Sequence, residues 1–351
     1  MSDAEPSALD PDLPDWTPIT PVFDPLRAMV ARQGGSFREL PHHILTFLPG
    51  HGEAARRLVV TWENLAAPGQ KSTRVPWGYA LLERQGWSVL GVMIKRKDFY
   101  RDASLFAALE GMRDAGFFAQ FAQVSMYGSS MGGFGGLTFA GMAPGCTVVA
   151  FAPQSTLRRD LAPFERRYRY ASRAFDWSGP YADACEGLAS VGRAYVFYDP
   201  QVDEDRRHVA RLLAADRRGV IVPLRCHWMT HKLPPLMLRM GIMKDLAVAA
   251  LTGTLTPAQF YRLARARMQN RGCIDRMLGQ AMSRGHYRLG LAAAERAMAE
   301  APAWQHRHRI RAFRAALAGA PPAAATDAEA EAGDDADAGW PPVAGDGTGR
   351  K

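Results

Sequence analysis

The chain has 351 residues, 47% hydrophobic and 22% charged, an ordinary globular balance with room for one large domain or two modest ones. No apolar run approaches the ~20 residues of a membrane span, the opening MSDAEPSALDPDLPDW lacks the basic and apolar regions of a secretory signal, and Cys146, Cys185, Cys226 and Cys273 stand too far apart for a disulfide framework or zinc pattern. A cytoplasmic location is therefore expected. The net charge of +8 conceals acidic ends: residues 1–25 hold six acids and no Lys or Arg, residues 321–351 hold seven acids and two bases, and the body between them carries +19. Such a body suits an acidic partner or an anionic substrate.

The first 25 residues are Pro-rich and acidic and read as a loosely held arm. From about residue 40 to 250, β-rich runs alternate with amphipathic stretches. HILTFL (43–48), RLVVTW (57–62), SVLGVMI (88–94), VSMY (124–127), CTVVAFA (146–152), RAYVFY (193–198) and GVIVPL (219–224) read as strands, several apolar on both faces as buried strands must be. Helices are expected over Trp77–Gln85, Ser104–Ala115, Gly132–Met142 and Asp205–Ala215. This rhythm predicts an α/β sandwich with a mostly parallel sheet. Beyond about residue 255 the β signal stops. TPAQFYRLARARMQNRG, CIDRMLGQAMSRG and HYRLGLAAAERAMAEAP each read as one helix, and a last helix is expected from Ala303 to Leu317. Residues 256–318 hold twelve Arg against three acids. The remaining tail is low in complexity and reads as disordered. The expected organisation is an arm (1–25), an α/β domain (26–252), an Arg-rich helical region (253–318) and an acidic tail (319–351).

The stretch that carries chemistry is VSMYGSSMGGFGGLTFAGM, residues 124–142. Gly128-Ser129-Ser130-Met131-Gly132 fits G-x-S-x-G between a strand and a helix. Such a turn strains the serine backbone and lifts its hydroxyl clear of the sheet. Glycines two before and two after remove Cβ atoms that would clash, and the helix N-terminus favours an oxyanion. No G-K-[ST] follows, so a Walker phosphate loop is not indicated.

On these residues the chain resembles the α/β-hydrolase superfamily, in its serine-hydrolase branch of esterases, acyl hydrolases and peptidases. YGSSMGG, FAPQSTL and YDP with a following DRRH are similar to a bacterial subgroup. The resemblance spans about residues 40–250 and implies a triad in the order Ser, acid, His. Ser130 would be the nucleophile. After the last core strand stand His227 and His231; His231, just before a Lys-Leu-Pro-Pro helix start, is preferred and His227 is left open. The acid should follow RAYVFY, where Asp199 ends the strand, with Asp203 as its rival and Asp205 read as an N-cap of the next helix. The Met131 amide would supply one oxyanion donor, and Asn64 or Leu65, after RLVVTW, the second. An insertion over residues 155–188 would cover the pocket, bringing six arginines interleaved with aromatic residues.

The reading is a serine esterase or deacylase working through an acyl-enzyme, with acyl transfer to a sugar hydroxyl as a close relative. It needs no cofactor and no metal. Its substrate would be a small-molecule or glycan acyl ester. The alternative is a basic scaffold that grips an anionic glycan or nucleic acid around a non-catalytic core; no nucleic-acid-binding signature accompanies it.

Overall fold

The computed structural model describes residues 23–65 and 74–319. The arm up to residue 22 and the tail from residue 320 lie outside the described residues. Phe23 closes the arm region in a buried position, under the Arg74 guanidinium, and a helix, α1, starts at once (Asp24–Arg32).

Eight strands form one sheet: β1 (Ser36–Glu39), β2 (His43–Leu48), β3 (Arg57–Trp62), β4 (Ser88–Ile94), β5 (Gln123–Ser129), β6 (Cys146–Phe151), β7 (Val191–Tyr198) and β8 (Ile221–Arg225). Their spatial order is β1-β2-β4-β3-β5-β6-β7-β8. The two β2 pairings are antiparallel and the other five parallel. The sequence pattern predicted seven of these. β1 is short and mostly exposed, SFRE, and offers no apolar alternation to detect.

Side chains alternate across the strands and so divide the core in two. On one face Val60, Trp62, Met126 and Val148 meet α3 (Ala103–Asp114), α4 (Met131–Thr138) and α7 (Asp203–Ala215). On the other, Val59, Tyr127, Val149 and Phe197 meet α1, α2 (Tyr79–Arg84), α8 (Leu233–Arg239) and α9 (Met243–Leu251). Burial on both faces explains why β4, SVLGVMI, is uniformly apolar or small. Within the insertion lie two short helices, α5 (Arg169–Ala174) and α6 (Ala184–Gly187).

The helical extension comprises α10 (Pro257–Leu263), α11 (Arg271–Ser283), α12 (Tyr287–Glu300) and α13 (Trp304–Leu317). The helix expected over residues 256–272 is shorter than its pattern, because α10 tightens into a 3₁₀ turn over Ala264–Gln269. The last three helices share a small core of Ile274, Leu278, Ala294, Ala297 and Phe313. They grip the body through Arg276, which donates to the Trp228 carbonyl at 2.8 Å, and through Gln280, which accepts from the Trp228 indole at 3.0 Å.

Two helical glycines should respond oppositely to a methyl group. Gly111, in α3, faces open space, whereas a Cβ on Gly290 would overlap the buried Phe313 ring. Thermal unfolding should show Gly111→Ala stabilising by about 0.5–1 kcal/mol from backbone entropy alone, and Gly290→Ala destabilising despite the same entropic gain.

Candidate active site

The peptide between β5 and α4 turns so sharply that Ser130 is forced to φ 54°, ψ −119°, a left-handed backbone that costs a non-glycine residue on the order of 1–3 kcal/mol. Packing holds it there. The Ser130 amide donates to the Phe151 carbonyl on β6 at 2.7 Å. A Cβ on Gly128 would overlap the Gly132 backbone, and one on Gly132 would overlap the Trp62 carbonyl at the end of β3. The two flanking glycines are thus the close-approach points of turn, helix and neighbouring strand. Met131 opens α4, so its amide is among those with no intrahelical acceptor. Asn64 and Leu65, both half-buried, follow the end of β3 against which Gly132 packs.

The β3 end is itself fixed. Glu63 is buried, accepts from the Ile94 amide at 2.7 Å and pairs with buried Arg74. Burial pushes its carboxyl above the usual range, against the pull of Arg74. The Tyr100 hydroxyl donates to the Glu63 carbonyl.

His231 reaches Ser130 from the loop after β8. Its Nε2 lies 3.0 Å from Ser130 Oγ, and its Nδ1 lies 2.8 and 2.9 Å from the two carboxylate oxygens of Asp205. The matching tautomer carries the proton on Nδ1 and accepts from the serine at Nε2. His227 points elsewhere and accepts from Gln201 Nε2 at 3.3 Å.

The acid position requires a correction. Asp199 does not meet His231: its carboxylate accepts from the Gln201 amide at 3.0 Å and from the Thr230 amide at 2.7 Å. It braces the histidine loop, whose Trp228 and Thr230 have φ of 64° and 62°. Asp203 is exposed and paired with Arg206 and Arg207. Asp205, expected as an N-cap, lies inside the first turn of α7, because the helix starts at Asp203, three residues before the start that such a cap implies. It is fully buried. Asp205, His208, Val209 and Leu212 form one buried face of α7 at i, i+3, i+4 and i+7, and an aspartate on that stripe was the sequence signal for this residue.

The insertion supplies the rest of the site. Arg167 donates to Asp205 Oδ1 at 2.9 Å and pairs with both oxygens of Glu165. Glu165 in turn accepts from His208 Nε2 at 3.0 Å. Because His208 Nδ1 accepts from the Ser155 amide at 3.1 Å, its proton sits on Nε2, and burial lowers its pKa in spite of Glu165. Burial raises the Glu165 carboxyl, but the hydrogen bonds from His208 and Arg167 outweigh this and draw it down to about 2. Above Ser130, Tyr168 Oη stands 3.4 Å from Ser130 Oγ and 3.4 Å from His231 Nε2. Buried Gln154 donates to Ser130 Oγ at 3.2 Å. Tyr168 is expected only as one of the aromatics of the covering insertion and Gln154 only as part of FAPQSTL; folding alone brings them within reach of Ser130.

No protein-family model matches the chain, and no curated protein matches it in sequence. Among solved structures, carboxyl esterase 2 of the fungus Tuber melanosporum is similar over 63% of this chain and 85% of its own, at 12% identity and TM-score 0.41. The capsule O-acetyltransferase of Neisseria meningitidis serogroup A is similar over 62% and 95%, at 12% identity and TM-score 0.43. A thermostable esterase from Pseudomonas putida is similar over 67% and 89%, at 14% identity and TM-score 0.42. The architecture is decided within the chain, by the sheet order and the left-handed serine between the central strand β5 and its helix. This is the α/β-hydrolase fold. In it the described helical extension follows the last strand of the sheet, and among the described residues no helix is long and apolar enough to cross a membrane.

The depressed Glu165 carboxyl gives the insertion a pH signature. A lowered folded-state pKa contributes stability that is complete above the ordinary carboxylate range and fades as pH falls toward the folded value. The difference in Tm between the wild type and Glu165→Gln should be largest near neutrality. It should shrink steadily between about pH 4.5 and pH 2; a difference that stays constant over that range would contradict the assignment.

Proposed function

We propose that the protein cleaves or transfers the acyl group of a carboxylic ester through an acyl-enzyme on Ser130. The observation that supports this most directly is the continuous chain from Ser130 Oγ to His231 Nε2 at 3.0 Å and from His231 Nδ1 to Asp205 at 2.8 Å. In the first step Ser130 Oγ attacks the acyl carbon while its proton passes to His231 Nε2. The new imidazolium is stabilised by the Asp205 carboxylate, which also fixes the ring orientation. The carbonyl oxygen becomes an oxyanion facing the Met131 amide and the start of α4, with the Asn64–Leu65 segment as the second donor region. Collapse expels the alcohol, which takes the proton from His231. A water, or an acceptor hydroxyl, then gives its proton to His231 and attacks the acyl-serine, and His231 returns that proton to Ser130 Oγ as the acid or a new ester is released. Hydrolysis and transfer share every residue and differ only in the acceptor.

Arg167 is a positioning residue in this scheme. It neutralises part of the buried Asp205 charge and ties it to the insertion, while Asp199 sets the loop that presents His231. Tyr168 covers the serine, so an acyl group entering the site must displace its hydroxyl or receive a hydrogen bond from it.

A fluorophosphonate probe should label the wild type and leave Ser130→Ala unlabelled. Asp205→Asn should lower kcat on a responsive ester by about 10³–10⁴, through loss of the productive tautomer. Asp199→Asn should cost far less in kcat and should lower Tm instead. The reverse ranking would restore Asp199 as the acid.

A further inference from the structure

The insertion forms an open-sided cavity of about 800 Å³ whose wall includes Arg159, Arg166, Arg169, Arg173, Glu165 and Tyr168. Its charge is unbalanced. Asp160, also on the wall, is paired with Arg158 at 2.7 Å, and Glu165 is paired with Arg167 and His208. Both acids therefore take their partners from outside the four wall arginines. Among the described residues, none of Arg159, Arg166, Arg169 and Arg173 has a carboxylate within ion-pair distance, and all four are exposed. Four unpaired guanidinium groups around one concavity set up a local positive field and present planar donor forks suited to carboxylate, sulfate or phosphate oxygens.

One residue of the wall links the cavity to the reacting atoms. Tyr168 lines it, and the same residue's hydroxyl lies 3.4 Å from both Ser130 Oγ and His231 Nε2. A ligand held by the arginines would therefore rest against the wall residue that also contacts the serine and the histidine. We propose that this cavity is the substrate-recognition site, and that the natural ester carries anionic groups on the portion lodged among Arg159, Arg166, Arg169 and Arg173. The inference rests on the ester chemistry proposed above. It deepens that reading by naming a polyanionic substrate in place of a neutral lipid or a simple aryl ester. The overall basic charge does not account for the arrangement by itself, because Arg284, Arg288, Arg307 and Arg311 in the helical extension are exposed as well but are not among the residues that line this cavity.

The full-length protein can be tested with an anionic ester, acetoxypyrenetrisulfonate, its alcohol hydroxypyrenetrisulfonate, and neutral p-nitrophenyl acetate. Binding of the alcohol to Ser130→Ala, read by fluorescence anisotropy, separates recognition from chemistry. At low salt the alcohol should bind, and replacing the four cavity arginines by Gln should weaken it about tenfold or more. Replacing Arg284, Arg288, Arg307 and Arg311 by Gln should change it by less than about twofold. With Ser130 in place, the ratio of kcat/KM for the anionic ester to that for the neutral ester should fall about tenfold in the cavity variant, mainly through KM. Binding that survives loss of the cavity arginines, or falls equally with the distant four, would overturn the proposal. If the wild type takes neither ester nor the fluorophosphonate probe, the hydrolase reading fails; anion binding lost only in the cavity variant would still uphold the recognition site.

Discussion

A carboxylate sealed from water is costly unless cations and donors surround it, and Asp205 is sealed completely. Two groups answer its charge: His231 from the loop after β8 and Arg167 from the insertion after β6. Removing either would leave the charge underpaired, so three segments distant in sequence are tied to one atom group. The phase of α7 follows from the same constraint, because Asp205 must face inward with His208, Val209 and Leu212. So does the placement of the insertion, whose Glu165–Arg167–Tyr168 run is anchored from below by Asp205 and His208.

The nucleophile turn depends on a steric constraint. Gly128 and Gly132 permit backbone contacts that no side chain would allow, and the resulting proximity of β3, β5 and α4 holds Ser130 in a conformation it would not choose. Strain of this kind persists only where the surroundings overdetermine it. Here they are the Phe151 carbonyl, the fully buried helix α4 and the aromatic packing of Trp62 on Phe139 and Tyr100. The helical extension adds a third support by holding Trp228, three residues before His231.

Around this rigid centre the insertion brings four arginines to the cavity and packs aromatic residues against the body. Phe99 packs against Tyr168 and Trp177, from a loop in which Phe99 and Tyr100 are both left-handed. The insertion is thus fixed by an aromatic underside and an ionic latch, and among the described residues Arg159, Arg166, Arg169 and Arg173 are left without a carboxylate partner at the cavity. Fold stability and recognition use different arginines of the same segment: Arg167 is committed to Asp205, and its neighbours Arg166 and Arg169 are not.

Some of this was determined by the sequence alone. Seven of the eight strands, the switch to an all-helical region after about residue 255, and Ser130 with its flanking glycines were legible, because local alternation and close-approach glycines are properties of consecutive residues. Ser130 and His231 were both singled out, and the structure places them together. What only tertiary structure decided was the partner of His231. Asp199, Asp203 and Asp205 lie within seven residues, and the choice among them depends on where α7 begins and which way its first turn faces. A three-residue shift in that start moved Asp205 from a capping position into the core and left Asp199 to brace the loop. The partners of Tyr168, Arg167 and Gln154 were beyond sequence reading for the same reason. Their roles come from through-space contact with Ser130, Asp205 and His231, and no local pattern encodes which distant residue a side chain will meet.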